Sequence, residues 1–390
     1  MRYIQLSGIV LCGLMLLAAC QQASITPPLQ TGAEQTAQYL PLLAGKRVGL
    51  LVNQTSMVGE QHLVDLLLAN GVNVVSIFAP EHGFRGDHDA GASVKSGVDS
   101  KTGLPLWSLY GANKQPSAEQ MQQLDVVIFD IQDVGVRYYT YISSMHYMMQ
   151  AAADHGVSML VLDRPNPNGA YVDGPVLDLQ FQSFVGMHPI PLLHGMTVAE
   201  LAQMIKGEGW INNAEQLQLS VIPLSGYQRN RPYSLPVKPS PNLPNDQAIA
   251  LYPSLGFFEA TPLSVGRGTT FPFQVIGYDK FSTGNFQFVP VSTPGAALTP
   301  PLMDKVLLGE DLRQAKVQGL SLDYLLRWHA LFKAQQEPFF SAAGFMDKLA
   351  GTDRLRLQIE QGLSESEIRA GWQADLKQFR QQRQPYLLYP

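Results

Sequence analysis

Alternation between short apolar runs and helix-like segments is the feature that most constrains the fold of this 390-residue chain. Strands that alternate with helices predict βαβ units and a parallel sheet. Runs with no polar face predict strands that are covered on both sides. We expect strands at 47–52, 72–79, 125–130, 157–162 and 217–224, with helices at 62–71, 117–124, 141–156 and 197–210. The class is therefore α/β.

Polar side chains follow four of these strands, at the point where each strand ends. The carboxyl ends of parallel strands share one edge of a sheet, which is where open α/β folds place their ligand crevice. Loops are polar in general, but four such clusters at one edge indicate a binding or catalytic site. The clusters contain Asn53, Glu81, His82, Asp130, Gln132, Asp133, Asp163, Arg164 and Asn166.

Several kinds of site are disfavoured by their missing motifs. The first strand is followed by Asn53–Ser56 and not by Gly-x-Gly-x-x-Gly, so no dinucleotide is expected. His82 could bind a metal together with Asp87, His88 and Asp89, but no His-Glu-x-x-His helix is present. A serine nucleophile would require a Gly-x-Ser-x-Gly elbow, which no strand precedes. We therefore predict neither a cofactor nor a metal.

The N-terminus resembles a lipoprotein signal. Arg2 precedes an apolar stretch from Ile4 to Ala18, and Leu-Ala-Ala-Cys ending at Cys20 is similar to the bacterial lipobox. We expect residues 1–19 to be removed, Cys20 to be lipidated and residues 20–38 to form a polar tether. Position 21 is not aspartate, which favours an outer-membrane lipoprotein facing the periplasm. The net charge of −5 with no Lys/Arg-rich block disfavours nucleic acid as a partner.

The amino-acid composition of the chain changes after Gly226. Residues 227–300 are rich in proline, glycine and aromatic side chains, as is common for polypeptide that lines a ligand cleft. Helices are expected near 321–335 and 364–381. We predict a parallel-sheet domain at 39–226 and a smaller α+β part at 227–390. In the first of these, Thr197-x-x-Glu is a capping box, and His194 just before it is placed to face the crevice.

Several longer motifs occur along the chain: APEHGFRG, FDIQDVGVRYYTYI, VLDRPNP, FVGMHPIPLLHGMT, PSPNLP and EAT with GRGTTFPF. Together they resemble the NamZ/YbbC family of exo-β-N-acetylmuramidases. The resemblance spans roughly residues 45 to 275 and continues more weakly to the C-terminus. It implies a Rossmann-like domain with a smaller second domain, and hydrolysis of a non-reducing terminal N-acetylmuramic acid from peptidoglycan fragments.

Glycoside hydrolysis requires one protonated carboxyl group and usually a second carboxylate. Glu81 is the expected general acid, because burial at an apolar strand tip can raise the pKa of a carboxyl group. The second group is Glu259, Asp133 or Asp130. Alternatively, the acetamido group of the sugar attacks, and a carboxylate only orients it.

Selection of muramic acid requires a cation for its lactyl carboxylate. Arg137 and Arg267 are the candidates, because a guanidinium can grip a carboxylate through two hydrogen bonds. The alternative is that each pairs with a local acid such as Asp133 or Glu259. The further residues expected to bind the saccharide are Asn53, His82, Arg85, Gln132, Tyr138, Asp163, Arg164, Asn166, His194 and Asn242.

A non-catalytic muropeptide-binding lipoprotein is the competing hypothesis. A cleft, aromatic side chains and a membrane anchor would suit it equally. The many carboxylates favour an enzyme. Desolvating carboxylates around a neutral or anionic sugar costs free energy, and a protein that only binds the sugar gains nothing from them. The expected partners are peptidoglycan saccharides and, through the lipid, a membrane. No protein partner can be predicted.

Overall fold

The computed structural model of the protein describes residues 28–81, 83, 84 and 96–390. The strands are β1 Val48–Val52, β2 Met57–Val58, β3 Gln61–His62, β4 Val74–Ala79, β5 Gly97–Val98, β6 Pro105–Ser108, β7 Val126–Asp130, β8 Ser158–Leu162, β9 Asp173–Val176, β10 Pro191–Leu193, β11 Leu219–Ile222, β12 Val275–Tyr278, β13 Phe286–Phe288 and β14 Leu307–Asp311. The helices are α1 Thr36–Leu43, α2 Leu63–Ala69, α3 Ala118–Met121, α4 Tyr141–His155, α5 Val198–Gly207, α6 Asp246–Leu255, α7 Asp323–Ala334, α8 Ala343–Ala350, α9 Arg354–Gln361, α10 Glu365–Ala370 and α11 Gln373–Arg383.

A seven-stranded sheet in the order β11-β8-β7-β1-β4-β6-β5 forms the centre of the larger part. Its neighbouring strands are parallel except for the short edge strand β5, which runs antiparallel to β6. Every side chain of β1 and β7 is buried, as expected for strands covered on both faces. The predicted α/β class is confirmed, and the carboxyl ends of the parallel strands share one edge.

Local signals in the sequence set the bounds of several helices. Helix α4 ends at Gly156, whose φ of 64° is the left-handed conformation that glycine adopts without strain. Helix α5 begins at the predicted capping box, in which the side chains of Thr197 and Glu200 each accept from the other's backbone N–H. The single helix predicted at 364–381 is wrong: α10 and α11 are separated at Gly371 and Trp372.

The smaller part confirms the expected α+β character. It contains an antiparallel sheet in the order β12-β14-β13 together with helices. The C-terminal residues return to the larger part, where the hydroxyl of Tyr389 donates to Asp163 Oδ2 at 2.6 Å. Within the described ranges, we find no helix with the length and apolar character needed to cross a bilayer.

Candidate active site

A cavity of about 180 Å³ lies where the carboxyl edge of the large sheet meets the polypeptide after Gly226. Five of the predicted site residues line it together. Tyrosine and phenylalanine side chains form much of the remaining wall. The structure therefore joins two of the candidate catalytic carboxylates, one of the two candidate arginines and two predicted binding residues: Glu81, Glu259, Arg267, Tyr138 and Asn242.

Glu81 follows β4 and is held by side chains from two other elements of the sheet edge. The hydroxyl of Tyr110, which follows β6, donates to Oε1 at 2.9 Å. The hydroxyl of Thr140, at the N-terminus of α4, donates to Oε2 at 3.3 Å. Sequence reasoning missed both residues. A polar side chain just after a short strand was the available signal for Tyr110, but β6 itself was not predicted.

Glu259 and Arg267 form an ion pair in the cavity wall. Nε and Nη2 of Arg267 donate to Glu259 Oε1 at 2.9 Å and 2.5 Å. The guanidinium also lies 4.9 Å from the centre of the Phe273 ring, a cation–π distance. Burial lowers the pKa of Arg267, but the charge and hydrogen bonds of Glu259, together with the smaller contributions of Tyr252 and Glu81, outweigh burial, and the pKa is raised overall. Arg267 therefore stays cationic in the cavity.

Arg137 lies elsewhere, fully buried beneath the cavity region. Nη1 donates to the carbonyls of Pro175 and Ile190, both at 2.7 Å. Nη2 donates to the carbonyls of Leu349 and Ala350 at 3.1 Å and 2.6 Å. Burial lowers the pKa of this guanidinium. The side chain does not line the cavity, and its hydrogen bonds tie the strand pair β9–β10 to α8.

Asp130 and Arg164 form a buried ion pair behind the sheet edge. Arg164 donates from Nε to Oδ1 at 2.5 Å and from Nη2 to Oδ2 at 2.9 Å. With Gln132, Arg164 lines a separate cavity of about 160 Å³. Asp130 is fully buried and lines neither cavity. The two-point contact places Asp130 in a structural pair.

Asp133 is buried next to the cavity wall without lining it. Its Oδ2 accepts from the backbone N–H of Gly135 at 2.6 Å, while Oδ1 has no hydrogen-bond partner among the described residues. Burial raises the pKa of this carboxyl to about 7. The pKa values of Tyr139 and Tyr141 in the wall are raised by burial first, with a further contribution from the charge of Asp133. Asp133 thus affects the electrostatics of the cavity wall without lining the cavity.

Asp163 connects three elements of the larger part. Its carboxylate accepts from Thr197 Oγ1 at 2.7 Å, Ala199 N at 3.0 Å and the hydroxyl of Tyr389. Burial raises its pKa to about 7, although these donors act in the opposite direction. Asp163 lines none of the cavities described above, and it anchors the start of α5 and the C-terminal residues.

Three further predicted residues stabilise turns. Asn53 Oδ1 accepts from the backbone and hydroxyl of Thr55 at 2.9 Å and 2.6 Å. Asn166 donates to the carbonyl of Met196 at 2.9 Å. His194 accepts from the N–H of Met196 at 3.2 Å, and burial lowers its pKa to about 3, so it is neutral. None of the three lines the cavity that contains Glu81.

Several predicted residues lie outside the part of the chain that the structure describes. His82, Arg85 and Cys20 lie outside the described residues, as do Asp87, His88 and Asp89 of the possible metal site. In residues 28–81, 83, 84 and 96–390 no group of three or more His, Cys, Asp or Glu side chains is arranged to hold a metal. A larger cavity, of about 440 Å³, lies among α9, α10 and α11 and contains none of the predicted residues.

Family models match nearly the whole globular part of the chain. The N-terminal model of exo-β-N-acetylmuramidase NamZ covers residues 48–247, and the C-terminal model covers residues 250–389. The chain belongs to the NamZ family. This confirms the resemblance carried by the motifs.

Relatives of known name or structure agree with this membership. The peptidoglycan β-N-acetylmuramidase NamZ of Bacillus subtilis (strain 168) is 37% identical over 414 residues, covering 98% of each chain. Two crystal structures of DUF1343 family proteins from Bacteroides fragilis NCTC 9343 are similar. One is 46% identical with a TM-score of 0.85, and the other is 29% identical with a TM-score of 0.80. Each match covers 93% of this chain and 99% of the other.

The cavity of this NamZ family member straddles the junction of the two family models. Glu81, Tyr138 and Asn242 belong to the N-terminal model, whereas Glu259 and Arg267 belong to the C-terminal model. The models meet between residues 247 and 250, and we predicted a boundary at 226/227 from composition. Either division assigns Glu81 and Glu259, which line the same cavity, to different parts of the chain.

Proposed function

We propose that the protein is an exo-acting glycoside hydrolase that releases non-reducing terminal N-acetylmuramic acid from peptidoglycan fragments. Family membership and the name of the Bacillus subtilis relative support the substrate class. The observation that carries the proposal is the meeting of Glu81 and Glu259 in one small aromatic-walled cavity.

Glu81 is the general acid in this proposal. Its protonated carboxyl donates to the glycosidic oxygen as the bond to the anomeric carbon breaks. Glu259 is the second carboxylate, because it lines the same cavity and forms an ion pair with Arg267. It acts on water or the anomeric carbon, or it orients the acetamido group of the sugar. Asp130 and Asp133 do not line the cavity, so they are weaker candidates for this role.

Arg267 is the proposed reader of the lactyl carboxylate. Two of its nitrogens are held by Glu259, and Nη1 makes no hydrogen bond to any described residue. The fixed guanidinium therefore offers a donor to a second carboxylate with little loss of side-chain entropy. Arg137 lacks such a free terminal nitrogen, because both Nη atoms donate to carbonyls.

Asn242 is the proposed contact for the acetamido group. Its Nδ2 donates to the carbonyl of Ala296 at 2.9 Å, which fixes the orientation of the amide because a carbonyl requires a donor. Its Oδ1 is buried and has no partner among the described residues. A buried acceptor gains most from a donor that the ligand supplies. The N–H of an acetamido sugar is such a donor.

The test of the proposed acid is Glu81→Gln, with Glu119→Gln as the control on the exposed surface of α3. We expect free N-acetylmuramic acid from a muramyl disaccharide to form at least about 100-fold more slowly with Glu81→Gln, and at the normal rate with the control. An aryl glycoside whose leaving group needs no proton should recover part of the rate. Full activity of Glu81→Gln on the disaccharide would remove Glu81 from the mechanism.

The same assay separates the enzyme from a muropeptide-binding protein. An enzyme must convert the disaccharide to free N-acetylmuramic acid with many turnovers per protein molecule. A binding protein would instead retain the intact disaccharide, which equilibrium dialysis would detect. Saturable binding by the wild-type protein with no product would favour the binding protein.

We also propose that the protein is a lipoprotein anchored through Cys20 and facing the periplasm. The support is the lipobox-like sequence Leu17–Cys20 after a short apolar stretch. Cys20→Ala should move the full-length protein from the membrane fraction to the soluble periplasmic fraction. Persistence in the membrane fraction would mean that the attachment lies elsewhere.

A further inference from the structure

Tyr110 and Glu81 occupy equivalent positions on neighbouring parallel strands. Ala79 of β4 pairs with Ser108 of β6, and the N–H of Leu109 donates to the carbonyl of Ala79 at 2.8 Å. Glu81 and Tyr110 each lie two residues beyond this pair. Because side chains alternate along a strand, equal offsets carry both side chains out of the sheet edge in the same direction. The pairing register thus brings the phenol to the carboxyl.

The hydroxyl of Tyr110 is set up as a donor. It lies 2.9 Å from Glu81 Oε1, and its ring packs in a tilted arrangement against Phe184, with 6.3 Å between the ring centres. Burial raises the pKa of Tyr110, and the neighbouring charge of Glu81 raises it further. The phenol therefore keeps its proton throughout the physiological range. Both carboxyl oxygens accept from a hydroxyl, but the bond from Tyr110 to Oε1 is 2.9 Å long and the bond from Thr140 to Oε2 is 3.3 Å long. The oxygen with the shorter hydrogen bond is the poorer place for the acidic proton, which directs the proton to Oε2.

We infer that Tyr110 is a positioning residue for the proposed acid catalysis, which directs the acidic proton of Glu81 to Oε2 and stabilises the carboxylate that remains. The inference rests on the proposed function. In the step, the Oε2–H bond breaks and the proton passes to the glycosidic oxygen. The electron pair of the breaking C–O bond goes to that oxygen, and Glu81 becomes a carboxylate. The anomeric carbon forms its new bond to water, to Glu259 or to the acetamido oxygen of the sugar. Tyr110 keeps its own proton.

The contribution of Tyr110 should grow as the reaction proceeds. A hydrogen bond to a carboxylate is stronger than one to a neutral carboxyl group. An interaction that strengthens towards the transition state raises kcat, whereas one of constant strength would change only KM.

Tyr110→Phe tests the inference, because it removes the hydroxyl and keeps the ring. Tyr147→Phe is the matched control: this residue of α4 stacks on Phe184, and no hydrogen bond joins its hydroxyl to a described residue. On a muramyl disaccharide, we expect kcat of Tyr110→Phe to fall by about 10- to 150-fold with little change in KM, the scale of one hydrogen bond to a charged group. The control should match the wild type.

The leaving group supplies a second measurement. With an aryl muramide that leaves without a proton, the deficit of Tyr110→Phe should largely disappear. A change in KM alone, or equal deficits with both leaving groups, would overturn the inference. If the wild type releases no N-acetylmuramic acid, the proposed function fails first. If the wild type is active and Tyr110→Phe behaves like Tyr147→Phe, only the role of Tyr110 fails.

Discussion

Arg137→Met should reduce stability without changing sugar selectivity. The guanidinium is fully buried and its two terminal nitrogens donate to four backbone carbonyls. Methionine has a similar volume and no donor, so those carbonyls would lose a partner inside the protein. Hydrogen bonds of charged groups contribute roughly 1.5–3 kcal/mol each, but they are not additive. Relief of the buried charge offsets part of the loss, so we expect about 3–5 kcal/mol in the free energy of unfolding.

Denaturation by urea, followed by tryptophan fluorescence and circular dichroism, measures this loss directly. Arg354→Met is the matched control, because Arg354 is exposed at the start of α9. The control should stay within about 0.5 kcal/mol of the wild type. Total stability of a folded domain is only about 5–15 kcal/mol, so the Arg137→Met protein should be assayed at low temperature.

Selectivity decides between a structural and a ligand-binding role for Arg137. Under conditions where Arg137→Met is folded, its ratio of kcat/KM for paired muramide and glucosaminide substrates should equal that of the wild type. A loss below about 1 kcal/mol in stability would refute the hydrogen-bond argument. A large decrease in this ratio for Arg137→Met would show that Arg137 binds the lactyl carboxylate.

Two further changes probe the charged groups near the cavity. Arg267→Ala should cost about 1.5–3 kcal/mol in kcat/KM with muramides and much less with matched glucosaminides, and equal losses would exclude it as the lactyl reader. Asp133→Asn tests the pKa of about 7. Between pH 4 and 7 the buried carboxyl holds a proton that the unfolded chain releases, so rising pH lowers the stability of the wild type. The slope in Asp133→Asn should be smaller by up to about 1.4 kcal/mol per pH unit, and an unchanged slope would contradict the raised pKa.

The sheet could be predicted from the sequence because its central strands have no polar face. The prediction failed at the edge, where β6 is short, begins at Pro105 and has only half-buried side chains. An edge strand exposes one side, so its sequence lacks the continuous apolar run on which the prediction depended. Because β6 was not predicted, the site residue Tyr110, which follows this strand and donates to Glu81, was not predicted either.

Within the site, the sequence located the edge but not the direction of each side chain. Asp130 ends β7 and Glu81 follows β4, so both residues lie at the same sheet edge. The carboxylate of Asp130, however, accepts a hydrogen bond from Arg164. The carboxylate of Asp163 likewise accepts hydrogen bonds from Ala199 at the start of α5 and from Tyr389 near the C-terminus. Arg137 turns away because its backbone pairs with the strand β10, through an N–H bond to Leu192 at 2.8 Å. These outcomes depend on partners distant in the sequence, which no local pattern reports.

Both family regions contribute residues to the cavity. Glu81 is fixed by the edge of the parallel sheet through Tyr110 and Thr140. Glu259 and Arg267 are fixed by the polypeptide of the smaller part, where Phe273 packs against the guanidinium. An acid and a second carboxylate act on one bond only if their separation is constant. Contacts far from the cavity maintain it, since the buried guanidinium of Arg137 joins the larger part to α8 and the C-terminal residues return to the larger part. Loss of those contacts should therefore lower catalysis while each carboxylate keeps its own local partners.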